Sequence, residues 1–173
     1  MKACILPALA LLGLAVLPGC TSDSGPPVQP SFYASMADAG ATVDAGAAAS
    51  MISGYRGNNG LGGVEVDPDL MRMAMDHARV MAAKDKIDRS AGREFTGRLA
   101  TAGFDAKIAV ENVGAGYHTL AEAFSGWRDS APHRANMLKG GVTRLGIAAV
   151  YSPQSKYKVF WTLIMAAKDE GRG

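Results

Sequence analysis

Apolar residues recur along this chain with two periods. From Asp67 onward, Leu70, Ala74, Ala78 and Met81 fall at helical spacing, with Arg72, Asp76, Arg79 and Lys86 on the opposite side, which predicts an amphipathic helix. Its start is marked by Asp67-Pro68-Asp69: an acid to cap, proline at the first helical position, and a second acid in the first turn. A further helix is predicted over Arg93–Ala102, stopped by Gly103, with Phe104 placed to pack back against it. Another is predicted over Thr119–Ser130, where Thr119 and Glu122 have capping-box spacing. Ser50–Arg56 reads as a shorter helix, weakened by Gly54 and Gly57, after which Asn59-Gly60 turns the chain.

The second period is two. Lys107–Val113 alternates, as do Leu145, Ile147, Ala149 and Tyr151, and then Val159, Trp161, Leu163 and Met165. These are strands, the last two joined as an antiparallel hairpin around Ser152-Pro153. Periodicity therefore predicts helices on both sides of a small antiparallel sheet.

The first 44 residues follow neither period. Lys2 and the uncharged apolar run Ile5–Leu17 read as an export signal over residues 1–19, too short to span a bilayer comfortably. The run ends Leu17-Pro18-Gly19-Cys20, which resembles a bacterial lipobox, with Pro18 where a small residue is usual. By that resemblance Cys20 is the lipidation site and the first residue of a mature lipoprotein. Thr21 after it implies outer-membrane sorting in a diderm bacterium; a plain secretory signal cut nearby is the blander reading. Residues 20–44 are expected to be a tether, stiffened by Pro26, Pro27 and Pro30 and poor in packing residues after Ser35. The folded domain is expected over 45–173.

The chain's two cysteines, Cys4 and Cys20, both precede that domain, so the core must hold it without disulfides. About 150 residues can bury roughly 70% of their unfolded surface, which suffices. The net charge is only +2, with basic residues scattered and aromatics few, which argues against nucleic acid as a partner. No serine elbow, H-E-x-x-H pair or phosphate-binding loop occurs in the sequence. His77 falls on the apolar side of its helix, where a core histidine with one satisfied hydrogen bond outweighs a ligand.

One stretch carries most of the functional information: ENVGAGY from Glu111, then the amphipathic TLAEAFSGW, then SAPHRANML. With VFWTLIMAA near the end, these phrases resemble the bacterial branch of the CAP superfamily, the SCP-like extracellular domains, over roughly residues 45 to 167. The resemblance implies a three-layer α/β/α sandwich with a small, mainly antiparallel sheet and a cleft where the sheet meets the fourth helix. Members often carry two histidines and one or two glutamates there, and in several the histidines hold a divalent metal. Glu111 matches the glutamate of the family's GEN phrase, and His133 the histidine before RANIL. Ser130 stands where animal members have a second glutamate. The other histidine should follow a phrase like KLDH, but this chain reads Lys86-Ile87-Asp88-Arg89.

That substitution alters the expected chemistry. A guanidinium has donors, no lone pair for a metal, and a fixed charge. Glu111 and His133 remain as matched ligands, short of the three or four a zinc site uses, and the spacing of His118 gives it no specific support as another. No cofactor is expected. The binding cleft is expected to comprise Arg89, Glu111, Asn112, Ser130 and His133, with Arg89 and Glu111 forming a charge-assisted pair. Asn112 and Asn136 are expected to satisfy backbone groups around it. Two functions stay open. The first is a non-catalytic, envelope-anchored domain binding a lipid, a peptide or cell-wall material. The second is a hydrolase or peptidase using Glu111 and His133, with or without metal.

Overall fold

The computed structural model of the chain describes residues 29–88, 93–169 and 171. The export signal, Cys20 and Arg89 lie outside the described residues. A single 3-10 turn at Ser31–Tyr33 precedes α1 (Ala45–Gly57), β1 (Glu65–Val66), α2 (Pro68–Lys84), α3 (Arg93–Thr101), β2 (Ala106–Ala115), α4 (Leu120–Asp129), α5 (Ala131–Met137), β3 (Arg144–Tyr151) and β4 (Val159–Lys168). The strands form one sheet in the order β1-β3-β4-β2. β4 pairs antiparallel with both β2 and β3, and the two-residue β1 runs parallel to β3.

Strand alternation divides the core into two layers. Leu145, Ile147, Trp161, Leu163 and Met165 point to one face and pack with Ala48 and Ile52 of α1, Trp127 of α4 and Met137 of α5. Ala148, Ile164 and Ala166 point to the other, against Leu70, Met73, Ala74 and Ala78 of α2 and Phe95 and Leu99 of α3. This is the expected α/β/α sandwich. Trp127 and Trp161 meet edge to face at 6.4 Å and anchor α4 to the sheet.

Two glycines set close approaches. Gly146 lies directly beneath the α2 backbone at Leu70 and Met71, where a Cβ would strike main-chain atoms. Gly126 of α4 faces the Tyr117 ring, which also lies against Gly114 of β2. Arg56 is the most buried cation among the described residues, 1% exposed. It closes the C-terminal end of α1 by donating to the carbonyls of Gly62, Met137, Lys139 and Val142 at 2.8–3.3 Å.

Three features go beyond the sequence expectations. Ser130-Ala131-Pro132, given no helix from the sequence, leads into α5 with proline in its first turn, so His133 is helical. Residues 31–43, read as tether, lie on the domain: Met36 is 5% exposed in the core, with Phe32, Ala37, Ala41 and Val43 packed around it. β1, too short for any periodic signal, adds a strand by bonding beside Thr143 and Leu145.

Candidate functional site

Glu111 sits in the middle of β2, an edge strand of the sheet. Alternation along the strand turns its side chain toward α2 and α3, while Asn112 faces α5. The Glu111 carboxylate is only 7% exposed. Its Oε1 lies 2.9 Å from His77 Nδ1, and one nitrogen of Arg98, Nη2, reaches both oxygens at 2.7 and 2.6 Å. An ionised carboxylate only accepts, so the proton between Glu111 and His77 resides on Nδ1. Removing such a carboxylate from water costs several kcal/mol, about what a well-formed pair with added hydrogen bonds offsets. The three groups are therefore one unit.

His77, 3% exposed, is held by α2 between Ala74 and Ala78, both fully buried on the same helix face. It is a core histidine with one satisfied hydrogen bond; its other ring nitrogen, Nε2, and the Nε of Arg98 are buried without partners among the described residues. Arg98 reaches in from α3, its side chain 28% exposed, and stacks over Phe95 at 5.4 Å.

On the opposite face, Asn112 (2% exposed) donates to the backbone carbonyl of His133 at 3.0 Å. Asn136 Nδ2 donates to the carbonyl of Glu111 and to Asn112 Oδ1, both at 2.9 Å. These asparagines stitch α5 to β2 and fix where His133 and Ser130, both half-buried, stand relative to the strand. The structure thus brings Glu111, Asn112 and His133 to one stretch of β2, but it gives the Glu111 carboxylate to His77 and Arg98 rather than to His133. Arg98 forms a guanidinium–carboxylate pair with Glu111; the expected pair of Glu111 with Arg89 lies outside the described residues. His118 is exposed and is held through its backbone, its N–H donating to Glu122 Oε2 at 2.6 Å, in the cap of α4.

Sequence reasoning missed Arg98 and the pairing of His77. Arg98 offers no motif. His77 does offer a signal, because a polar ring on a fully apolar helix face requires a buried partner.

The donor chemistry around Glu111 argues against a divalent ion there. Both oxygens are engaged by a cation, which a metal would have to displace. Among the described residues no group of three or more His, Cys, Asp or Glu side chains is placed to hold a metal.

Arg98 also borders a groove of about 570 Å³ between α2 and α3. Met73 and Ala102 supply apolar surface, and Asp69, Arg72, Asp76 and Glu94 line it alongside Arg98. Asp69 is engaged with Arg72 at 2.7 Å.

The sequence model of CAP, the cysteine-rich secretory protein family, matches residues 49–165. The chain belongs to the CAP family. Its CAP domain keeps the sandwich of solved relatives at low identity. An extracellular protein containing an SCP domain from Bacillus anthracis is 22% identical, with a TM-score of 0.60 over 71% of this chain and 40% of that one. A cysteine-rich secretory protein from Staphylococcus aureus is 18% identical, with a TM-score of 0.58 over 70% and 37%. An outer surface protein from Borrelia burgdorferi is 15% identical, with a TM-score of 0.63 over 75% of this chain and 98% of that one. The chain therefore spans less than half the length of the first two and nearly all of the third. No curated protein matches it. At these identities the likeness speaks for the fold. The CAP domain here contains no cysteine, so its core rather than disulfides holds the matched residues together.

Proposed function

We propose that this CAP domain is an exported, envelope-associated binding module that holds its ligand without turning it over. The observation that carries the reading is the state of Glu111. A general base needs a free carboxylate within reach of a substrate proton, and this one is buried and held by Arg98 and His77. His77 Nδ1 is committed to the same pair, so the dyad is arranged as structure. Arg89, which stands in the sequence where the family phrase has histidine, offers no lone pair to a metal.

The groove beside Arg98 supports a ligand with polar and apolar parts. Its volume falls in the usual range for small-ligand sites. Five charged side chains on its walls would be left facing hydrocarbon by an acyl chain, so a peptide or cell-wall fragment suits it better than a lipid. Export is supported by the leader-like residues 1–19 and by solved relatives described as extracellular or outer-surface proteins. Anchoring rests on the lipobox-like phrase before Cys20 and is read by mass spectrometry of the envelope fraction, where a diacylglyceryl adduct on Cys20 is expected.

The test is a comparison of wild type with Glu111→Gln and His133→Ala on peptide and peptidoglycan substrates. The binding reading predicts no turnover above background in any of the three. Turnover by wild type that both substitutions abolish, with the variants still folded, would establish the hydrolase reading instead.

A further inference from the structure

The end of the molecule where the chain enters the domain concentrates positive charge. Lys84 and Lys86 flank the left-handed residue that ends α2, Asp85. Lys156 and Lys158 lie in the β3–β4 loop. The two segments are clipped together: Ser155 Oγ, in a residue 2% exposed, donates to Asp85 Oδ1. Tyr157 and Ile87 pack against the same small core of Met81, Val113 and Phe160. All four lysines are exposed, and they are half of the eight in the chain. Asp85, the acid among them, is already engaged, so these two short segments present a net excess of three positive charges.

Local roles account for part of this. Lys84 suits the negative end of the α2 dipole, Lys156 lies over the Tyr157 ring at 4.9 Å, and Lys158 donates to the Pro153 carbonyl at 2.7 Å. They do not account for the residue type at 158. Its φ is +63°, a conformation that glycine or asparagine adopts more readily. Asp85 at +46° is the other non-glycine residue with positive φ among the described residues, and both belong to this one junction. Strained backbone of this kind persists where a side chain is needed.

The entering chain meets the same end. Val159, next to Lys158, accepts from Gly116 N at 3.0 Å, and His118, two residues on, accepts from Met36 N at 2.7 Å. Tyr33, just upstream, is 50% exposed, a half-wet aromatic of the sort that settles at lipid headgroups. From this juxtaposition we infer that the lysine-bearing end of the CAP domain docks on an anionic phospholipid bilayer. A cluster of exposed lysines adds attraction to anionic headgroups, about additively with any acyl chains inserted beside it. The inference deepens the envelope reading but does not depend on acylation of Cys20.

The experiment is co-sedimentation of the full chain with vesicles of phosphatidylcholine alone, or with about one-third phosphatidylglycerol. The readout is the ratio of the two partition coefficients, which cancels any anchor that inserts equally into both. With each lysine adding to the attraction, less the share lost to neighbouring acids, wild type should prefer the anionic vesicles about tenfold or more at low salt. The preference should vanish near 0.5 M salt, where the screening length falls to about 4 Å. The combined variant Lys84→Gln, Lys86→Gln, Lys156→Gln, Lys158→Asn should show no preference. A charge-matched control, Arg79→Gln, Lys107→Gln, Arg128→Gln, Lys139→Gln, should keep it. No preference in wild type, equal loss in the control, or binding to a soluble anionic polysaccharide without binding to vesicles would overturn the inference. Strong binding by wild type and variant to both vesicle types, with a ratio near one, would leave the anchor as the sole attachment and sink the patch alone.

Discussion

At the scale of single residues, buried Arg56 and half-buried Arg98 show how differently one side chain can be satisfied. Arg56 has no acid partner and donates to four carbonyls from three segments. Burial pushes its guanidinium below the ordinary value, though it stays charged at any ordinary pH. Lysine has no planar fork and cannot span those carbonyls. Arg56→Lys should therefore cost about 2–4 kcal/mol in denaturant unfolding, the penalty for leaving more than one buried acceptor unpaired. Arg98 is satisfied by charge instead. Glu111→Gln leaves that guanidinium without its counterion and should destabilise by about 3 kcal/mol. Combined with Arg98→Met in a double-mutant cycle, it should show a coupling above about 1 kcal/mol; additive losses would mean the pair contributes nothing. Neither partnership could be read from sequence spacing, because His77 and Arg98 meet Glu111 only when two helices settle on one edge strand.

Among the elements, those with long periodic patterns were legible. The α2 helix begins where its cap predicts, with Asp67 accepting from the N–H groups of Asp69 and Leu70, though it ends at Lys84, before Lys86; the two long alternating strands form the predicted hairpin. What periodicity could not show was α5, whose seven residues bury one side chain, Met137, and whose proline reads equally as a turn or a helix start. Nor could it show the tight seat of α2 on Gly146. Gly146→Ala forces a methyl into main-chain atoms that cannot give way, so a loss of about 3 kcal/mol is expected by thermal or denaturant unfolding. The cap of α1 supplies a pH-dependent test. The Ala47 N–H, then the Ser31 hydroxyl, hold the Asp44 carboxyl below its usual 3.8. A depressed carboxyl stabilises fully above its unfolded pKa and loses that contribution as pH falls through the folded one. The Tm gap between wild type and Asp44→Ala should thus be constant from neutral pH down to about 5 and shrink below about 4. A gap unchanged at pH 3 would remove the charge from the cap's role.

Across the whole molecule, the sandwich and its family were readable from a few phrases because each serves the architecture. The asparagines after Glu111 and before Met137 stitch β2 to α5, the tryptophan of α4 fills the layer beneath it, and the glycines at 114 and 126 make room for Tyr117. The site was readable only in part. The resemblance put Glu111 in a cleft beside the fourth helix, whereas its carboxylate turns to the other face of β2 and meets His77 of α2 and Arg98 of α3. The central claim is that this carboxylate is spent on holding α2, α3 and β2 together, which leaves a groove to bind with and no free base or ligand. Its most direct test is a calorimetric zinc titration of the wild-type chain. The account predicts no binding at micromolar metal; saturable micromolar binding that disappears in Glu111→Gln would contradict it.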